Sequence, residues 1–220
     1  MTEIVQLSNL SVKSIGAQTF EIITEEETEN SQLLDRFIKE QIASDSDSIT
    51  LQFKASSVQS FQDYLETNKY RLDYDTVLKI LDSYAKLILF LERNMKCLVL
   101  TDLRDFIVIN NSDFIFVNSA NIFSLEMGKK TTVIDIPLKL NRFQSPELKK
   151  LSEIPQNIDF RVGYFSLASF LCYCLFAETL IDKSEQQIED LLAPIYTTKL
   201  YWFIKRCSEK QAEKRKCIFI

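Results

Sequence analysis

The sequence contains few side chains that could carry out catalysis. It has no histidine among its 220 residues, which excludes a serine–histidine or cysteine–histidine pair and any zinc site with a histidine ligand. Only three glycines occur, Gly16, Gly128 and Gly163, too few for a complete glycine-rich phosphate-binding loop. Carboxylates and amides, the side chains that can hold Mg²⁺ in phosphate transfer, are present, and their use depends on the elements that position them.

Composition limits the class of protein. Hydrophobic residues make up 46% of the chain and charged residues 26%, which is typical of a globular protein. The net charge of -5 gives no reason to expect a nucleic-acid partner. The low glycine content and the bias towards Ile, Phe, Asn and Lys are compatible with an AT-rich genome such as that of a virus. The five cysteines form no Cys-x-x-Cys pair and no signal peptide is visible, so we expect reduced thiols in the cytoplasm.

The clearest elements lie in the second half of the chain. Apolar residues at helical spacing predict a helix over Asp73–Glu92, and two β-like runs, Phe106–Ile109 and Phe114–Val117, predict a hairpin. The apolar run Tyr164–Ala177 is too short to span a bilayer and predicts a helix buried on all sides. Residues 124–160 look loop-rich, and amphipathic segments follow at 184–193 and 198–209. We expect Tyr201, Trp202 and Phe203 to pack in the core, unless part of this cluster forms a groove for a partner.

The first third is mixed. Short β-like runs occur at Thr19–Thr24 and Ser48–Phe53, and apolar residues at helical spacing occur between them, from Ser31 to Ala43. The stretch Asp45–Ser48 reads as a loop. Together with the helical second half, this order predicts an α+β fold.

Several short motifs in this order resemble the protein-kinase family. In that family a helix leads into the loop His-Arg-Asp-Leu-x-x-x-x-Asn, and a hairpin, an Asp-Phe-Gly motif and an Ala-Pro-Glu motif follow. Here Leu100–Leu103 (Leu-Thr-Asp-Leu) stands in place of the first motif, and Ile107 stands where its metal-binding asparagine would be. Asn118–Ala120 (Asn-Ser-Ala) replaces Asp-Phe-Gly, and Phe143–Glu147 (Phe-Gln-Ser-Pro-Glu) resembles the Ala-Pro-Glu segment.

The resemblance spans roughly residues 48–217, because Ser48–Leu65 resembles the strand, hinge and short helix that join the two kinase lobes and two later segments also match. Ile158–Ala168 resembles the Asp-x-x-Ser-Leu-Gly entry to the buried kinase helix, with Gly163 in the place of the aspartate. Leu200–Arg215 resembles the late kinase helix and its Glu-Lys-Arg turn, which implies an ion pair between Arg215 and Glu147. The implied fold is protein-kinase-like, with a reduced, mixed N-lobe in residues 1–66 and a mainly helical C-lobe in residues 67–220. Kinase non-catalytic C-lobe domains are a similar precedent.

The nucleotide-binding part of the small lobe is incomplete in either of two registers. Gly16–Glu21 has the spacing of the kinase Gly-x-Gly-x-Phe-Gly loop but keeps only its first glycine. In one register Arg36–Lys39 is the strand that carries the ATP-binding lysine. In the other, favoured by the helical spacing, this segment belongs to the regulatory helix, Glu40 is its acidic residue and Ile23 replaces the lysine. Gly16 and Lys39 are therefore only weak candidates for ATP binding.

The resemblance implies that the groups needed for phosphate transfer are missing. Kinases hold Mg²⁺ against the nucleotide with two carboxylate or amide side chains. Ile107 offers no oxygen, and Asn118 offers a neutral carbonyl in the place of a carboxylate. Asp102 occupies the place of the catalytic base, although an aspartate that anchors a turn is the better interpretation. We therefore expect a catalytically inactive pseudokinase, without cofactor or metal, that acts as a protein-interaction or regulatory module.

Two alternatives stay open. One is a weak or atypical kinase that retains ATP binding. The other is a prenylated, membrane-associated decoy of an active kinase, because Cys217–Ile220 has the Cys-a-a-X form and follows the basic run Lys214–Lys216. In the opposing interpretation Cys217 simply begins a final helix. The expected partner is another protein, either an active kinase or its substrate, with peripheral membrane association through the C-terminus in the decoy hypothesis.

Overall fold

A computed structural model describes residues 2–7, 10–24, 27–42 and 51–218, and within them the chain is a mixed α+β protein. Its helices are α1 Glu29–Ile42, α2 Phe61–Thr67, α3 Tyr74–Arg93, α4 Pro146–Lys149, α5 Val162–Phe176, α6 Glu185–Leu192 and α7 Lys199–Cys207. Its strands are β1 Thr2–Gln6, β2 Leu10–Gly16, β3 Thr19–Thr24, β4 Leu51–Lys54, β5 Val58–Ser60, β6 Lys96–Leu98, β7 Phe106–Ile109, β8 Asp113–Phe116, β9 Ile122–Ser124, β10 Thr131–Ile134 and β11 Gln156–Asp159.

The first four strands form one antiparallel sheet in the order β1-β2-β3-β4. Alternate residues of β3 and β4 are the more buried ones because successive side chains point to opposite faces of a sheet, whereas β2 begins with three consecutive buried residues. Helix α1 buries one stripe, made of Leu33, Leu34, Phe37 and Ile38. The ring of Phe37 lies 5.2 Å from that of Phe90 in α3, so α1 connects the N-terminal region to the helical part.

Helices α3 and α5 form the centre of the second part. Helix α3 begins after Asp73, whose carboxylate accepts a hydrogen bond from the backbone N–H of Thr76 at 2.9 Å. Helix α5 is apolar on every side, packs against α3 and is buried along most of its length. The prediction that these two helices pack together, with the later one almost wholly buried, is confirmed.

Gly163 allows the close approach at the start of α5. A Cβ atom at this position would lie 1.8 Å from the carbonyl oxygen of Leu98. The helix can therefore approach the chain after β6 only because residue 163 has no side chain.

The predicted hairpin is β7–β8, which forms a three-stranded sheet with β5. Three residues connect the paired ends Ile109 and Asp113. Two of them, Asn110 and Asn111, have φ values of 54° and 57°, a left-handed turn conformation that asparagine tolerates. All four residues of β7 are buried. Their neighbours include an aromatic cluster formed by Phe61, Tyr84, Phe106, Phe116 and Phe170.

The predicted elements are largely present, with several corrections. The helix over Ser31–Ala43 is confirmed as α1, which excludes the alternative strand at Arg36–Lys39. Strands β1 and β2 were not predicted, and the loop-rich region contains the paired strands β10 and β11. Ala43, the loop Asp45–Ser48 and residues 48–50 of the second β-like run lie outside the described residues.

The core position of Trp202 was predicted wrongly, because its side chain is 42% exposed, whereas Tyr201 and Phe203 are buried. One large hydrophobic cluster runs from Val5 to Cys207 and includes side chains from both predicted lobes. The boundary between residues 66 and 67 stays a prediction, and it falls near the end of α2.

Candidate functional site

The chain segment that carries Asp102 forms a tight turn between β6 and β7. Leu103–Asp105 is a single 3-10 turn with a capping box at its start. The carboxylate of Asp102 accepts the backbone N–H of Arg104 at 3.0 Å, and the carboxylate of Asp105 accepts the backbone N–H of Asp102 at 2.6 Å. The two aspartates therefore satisfy backbone donors that would otherwise lack partners at the start of the turn.

The remaining hydrogen-bonding capacity of Asp102 is also occupied. It accepts from Nε of Arg104 at 2.8 Å and from Nδ2 of Asn141 at 2.9 Å. Burial raises the pKa of Asp102, but the hydrogen bonds and charge of Arg104, helped by Asn141, outweigh it and lower the pKa below its usual value. A carboxylate with a lowered pKa and these partners is a poor general base.

Asp105 is the most strongly perturbed carboxyl group of this region. It is fully buried and lies on the interior side of the turn. Nδ2 of Asn118 donates to it at 2.7 Å. Burial raises the pKa of Asp105 to about 8, and the hydrogen bonds from Asn118 and the backbone of Asp102 offset only part of this increase.

Asn118 holds the chain after β8 against this turn. Its Nδ2 donates to Asp105, while its Oδ1 accepts the backbone N–H of Ala120 at 3.0 Å. The residue is only 7% exposed. Its one oxygen that could bind a metal faces a backbone donor, so Asn118 is engaged at both ends of its amide.

Ile107, at the other predicted metal-ligand position, is a core residue. It is fully buried in β7 and lies opposite Ile115 of β8. Asp102 and Asn118 belong to a polar turn, and Ile107 lies in the apolar hairpin that follows it. Among the described residues, no group of three or more Cys, Asp or Glu side chains is arranged to hold a metal ion.

A small cleft of about 330 Å³ lies beside Asp102. Its lining includes Asp102 and Asn141 together with two basic side chains, Arg104 and Arg142. Arg142 is itself engaged, since its NH1 donates to the hydroxyl of Tyr173 at 3.0 Å. The cleft offers hydrogen-bonding groups and positive charge, but its one carboxylate is already bonded to Arg104 and Asn141.

The weak candidates for ATP binding lie on separate elements. Gly16 ends β2, beside an exposed turn in which Gln18 has a φ of 58°. Lys39 is half-buried on α1. Glu40 is exposed on the same helix and Ile23 lies on β3. The register with α1 as the regulatory helix thus has an apolar residue in the place of the lysine.

The predicted ion pair between Glu147 and Arg215 is present. NH2 of Arg215 donates to Oε1 of Glu147 at 2.7 Å. The guanidinium also donates to the backbone carbonyls of Glu209 at 2.8 Å and Lys210 at 3.4 Å, and lies 5.1 Å from the ring centroid of Phe165. This network joins the C-terminal segment to α4 and α5.

The lipidation candidate Cys217 is half-buried against the main core. Its thiol lies beside the thiol of Cys207. A hydrogen bond between the two thiols, together with burial, raises the pKa of Cys217. Residues 219 and 220 of the Cys-a-a-X segment lie outside the described residues. Prenylation of Cys217 stays a prediction and would require the thiol to leave this contact.

Two residues of the site, Asp105 and Asn141, were not predicted from the sequence. Asp105 could have been found, because Asp102 followed three residues later by an acidic residue is a capping-box pattern. Asn141 is 39 residues away from Asp102 in the chain, and no local pattern links the two.

The comparisons give no identification. No protein-family model matches the chain, and no curated protein matches it in sequence. In the described part of the chain, no helix is both long enough and apolar enough to cross a membrane.

Proposed function

We propose that this chain is a catalytically inactive, protein-kinase-like domain, a pseudokinase, that acts by binding other proteins. The motif order described above supports the family assignment, as do the buried α5 and the Arg215–Glu147 pair. The alternative of a weak kinase needs a place for Mg²⁺ and nucleotide phosphates.

The observation that carries the proposal is that neither residue at the two expected metal-ligand positions, 107 and 118, offers a free oxygen. Ile107 is enclosed in the hairpin, and the amide of Asn118 is buried and bonded at both ends. Mg²⁺ requires accessible oxygen ligands in near-octahedral geometry. Binding here would break the Asn118 bonds and leave the buried Asp105 without its side-chain donor, at a cost of about 1–3 kcal/mol per unsatisfied group.

Thermal unfolding with ATP, with and without Mg²⁺, tests the absence of nucleotide binding. We expect no increase in Tm and no transfer of the γ-phosphate to the chain or to generic substrates. Asp102→Asn should leave this outcome unchanged. An Mg²⁺-dependent increase in Tm of several degrees, together with phosphate transfer that Asp102→Asn abolishes, would contradict the proposal. A Tm increase of that size is expected of a real ligand, because a hundredfold excess over Kd stabilises the folded chain by about 2.7 kcal/mol.

Restoring an acidic residue at position 118 gives a second test. Asn118→Asp replaces the donor to Asp105 with an acceptor 2.7 Å away, so we expect a loss of about 1–3 kcal/mol rather than a gain of Mg²⁺ binding. The loss should increase as pH rises through about 8, where Asp105 ionises. Asn110→Asp is the matched control, because Asn110 is exposed and only its side-chain oxygen is used, by the backbone N–H of Ser56 at 2.7 Å.

A further inference from the structure

An exposed aromatic surface lies on the outer side of α7. Tyr196, just before this helix, is 62% exposed and Trp202 is 42% exposed. Lys199 is also exposed on the helix, and the guanidinium carbon of Arg206 lies 6.0 Å from the Trp202 ring centroid. We call these four residues the α7 face.

The two exposed rings are held in place by a third ring beneath them. Tyr201 is buried, and its ring centroid lies 5.0 Å from those of both Tyr196 and Trp202 in edge-to-face arrangements. The hydroxyl of Tyr201 donates to Glu189 of α6 at 2.9 Å, and Lys205 pairs with the same carboxylate. A surface fixed in this way loses little conformational entropy when a partner binds.

The composition of the α7 face is that of a binding hot spot. Trp, Tyr and Arg are the residues that most often dominate the energy of protein–protein interfaces. Two exposed aromatic side chains, Tyr196 and Trp202, flank one buried ring here, and a clustered exposed surface of this kind indicates a binding site.

Charge identifies the kind of partner. Residues 193–208 contain three basic side chains and no acidic one. Residues 193–220 contain seven basic and two acidic side chains, whereas residues 1–192 contain 19 basic and 29 acidic ones. The α7 face therefore belongs to a basic segment of an acidic protein, and a complementary partner is acidic.

The adjoining groove favours a peptide over a lipid surface. A groove of about 750 Å³ shares Lys205 with α7 and is also lined by Lys150 and Lys183. Three acidic side chains, Asp182, Glu185 and Glu209, line it as well. Carboxylates in the groove oppose a uniformly negative membrane, but a peptide can place its own charges between them.

We infer that the α7 face binds an acidic segment of a partner protein, with an apolar or aromatic side chain of that segment packed between Tyr196 and Trp202. The inference rests on the proposed function, in that it takes the chain to act through a protein partner. It names the surface and the chemistry of that partner.

A displayed library of random peptides, selected on the full chain, tests the inference. We expect the selected peptides to combine acidic residues with an apolar or aromatic one. Trp202 is the only tryptophan, so synthetic copies of these peptides should shift its fluorescence to shorter wavelength. Trp202→Ala, followed with a labelled peptide, and Arg206→Glu should each weaken binding by about 30-fold, the effect of a hot-spot residue.

Matched variants keep the test specific. Met127→Ala removes a side chain that is 87% exposed elsewhere, and Lys130→Glu reverses an exposed charge away from α7; both should bind the peptides like the parent chain. Three results would overturn the inference: selected peptides without acidic character, binding that is insensitive to Trp202→Ala and Arg206→Glu, or an α7 face that binds only phosphatidylserine vesicles or a second copy of the chain. None of these would alter the ATP measurements, so failure here is distinguishable from failure of the pseudokinase proposal.

Discussion

Replacing Arg215 by alanine should destabilise this protein far more than removing an ordinary surface charge. Arg215 is 1% exposed, and its guanidinium lies among Glu147, three backbone carbonyls and the ring of Phe165. The variant would leave Glu147 without its cation. The other oxygen of this carboxylate, Oε2, is already buried without a hydrogen-bond partner, so both oxygens would then be unpaired. The Glu147 side chain is 31% exposed, so water can partly replace the lost cation, and the loss should be about 3 kcal/mol, the lower end of the range for a buried ion pair.

Urea unfolding, followed by circular dichroism, measures this loss. Arg215→Lys should recover only part of it, because one ammonium group can pair with Glu147 but cannot also reach the carbonyl of Glu209 as the guanidinium does. The double variant Arg215→Ala with Glu147→Ala should be more stable than the sum of the single losses predicts, with a coupling of about 1–3 kcal/mol.

An exposed ion pair provides the control. Lys86 and Asp82 lie one turn apart on α3, 2.8 Å from each other, with more than half of each side chain exposed. Lys86→Ala should therefore cost only about 0.3–0.5 kcal/mol. A loss below 1 kcal/mol for Arg215→Ala, or no coupling with Glu147, would mean that the network adds little to the stability of the fold.

Three further predictions use the same unfolding assay or thiol labelling. Gly163→Ala should cost several kcal/mol or prevent folding, because its Cβ would overlap the carbonyl oxygen of Leu98, whereas Gly16→Ala, with no atom closer than 3.9 Å, should be nearly neutral; equal effects would refute the close approach. The pKa of Asp105, about 8, lies above the value near 3.9 of an unfolded aspartate. Its contribution to stability should therefore be complete below about pH 4 and be lost as pH rises through about 8, and unfolding at several pH values should show Asp105→Asn without this slope. Cys217, with a raised pKa, should react with iodoacetamide more slowly at neutral pH in the folded chain than after unfolding; equal rates would show that the thiol is free.

Local sequence patterns predicted the elements that are defined by their own residues. The helix over Asp73–Glu92 has a capping aspartate and an apolar stripe, and the structure places α3 at Tyr74–Arg93. The hairpin has two apolar runs around an Asn-Asn turn, and both runs become strands. In each case one segment contains the pattern, the cap or turn, and the length of the element.

Elements that depend on a distant partner were missed. Strand β11 is the polar segment Gln156–Asp159, and it becomes a strand only by pairing with β10. Strand β1 buries a single residue, Val5, and exists through its pairing with β2. The exposed position of Trp202 was missed for a related reason: helical periodicity identifies a buried face, but it does not predict where an aromatic residue at its margin will lie.

Position 118 is tied directly to Asp105, whereas position 107 is set by the apolar hairpin. An asparagine in place of Ile107 would put an amide into the fully apolar strand β7, where the partner residue is Ile115. An aspartate in place of Asn118 would put two carboxylates against each other in a buried site. Each residue type therefore suits the interior that surrounds it, and neither position can be changed alone without cost. If the chain descends from an active kinase, as the proposed function implies, restoring the two ligands would also require a change at Asp105, whose buried carboxyl group needs Asn118 as its donor.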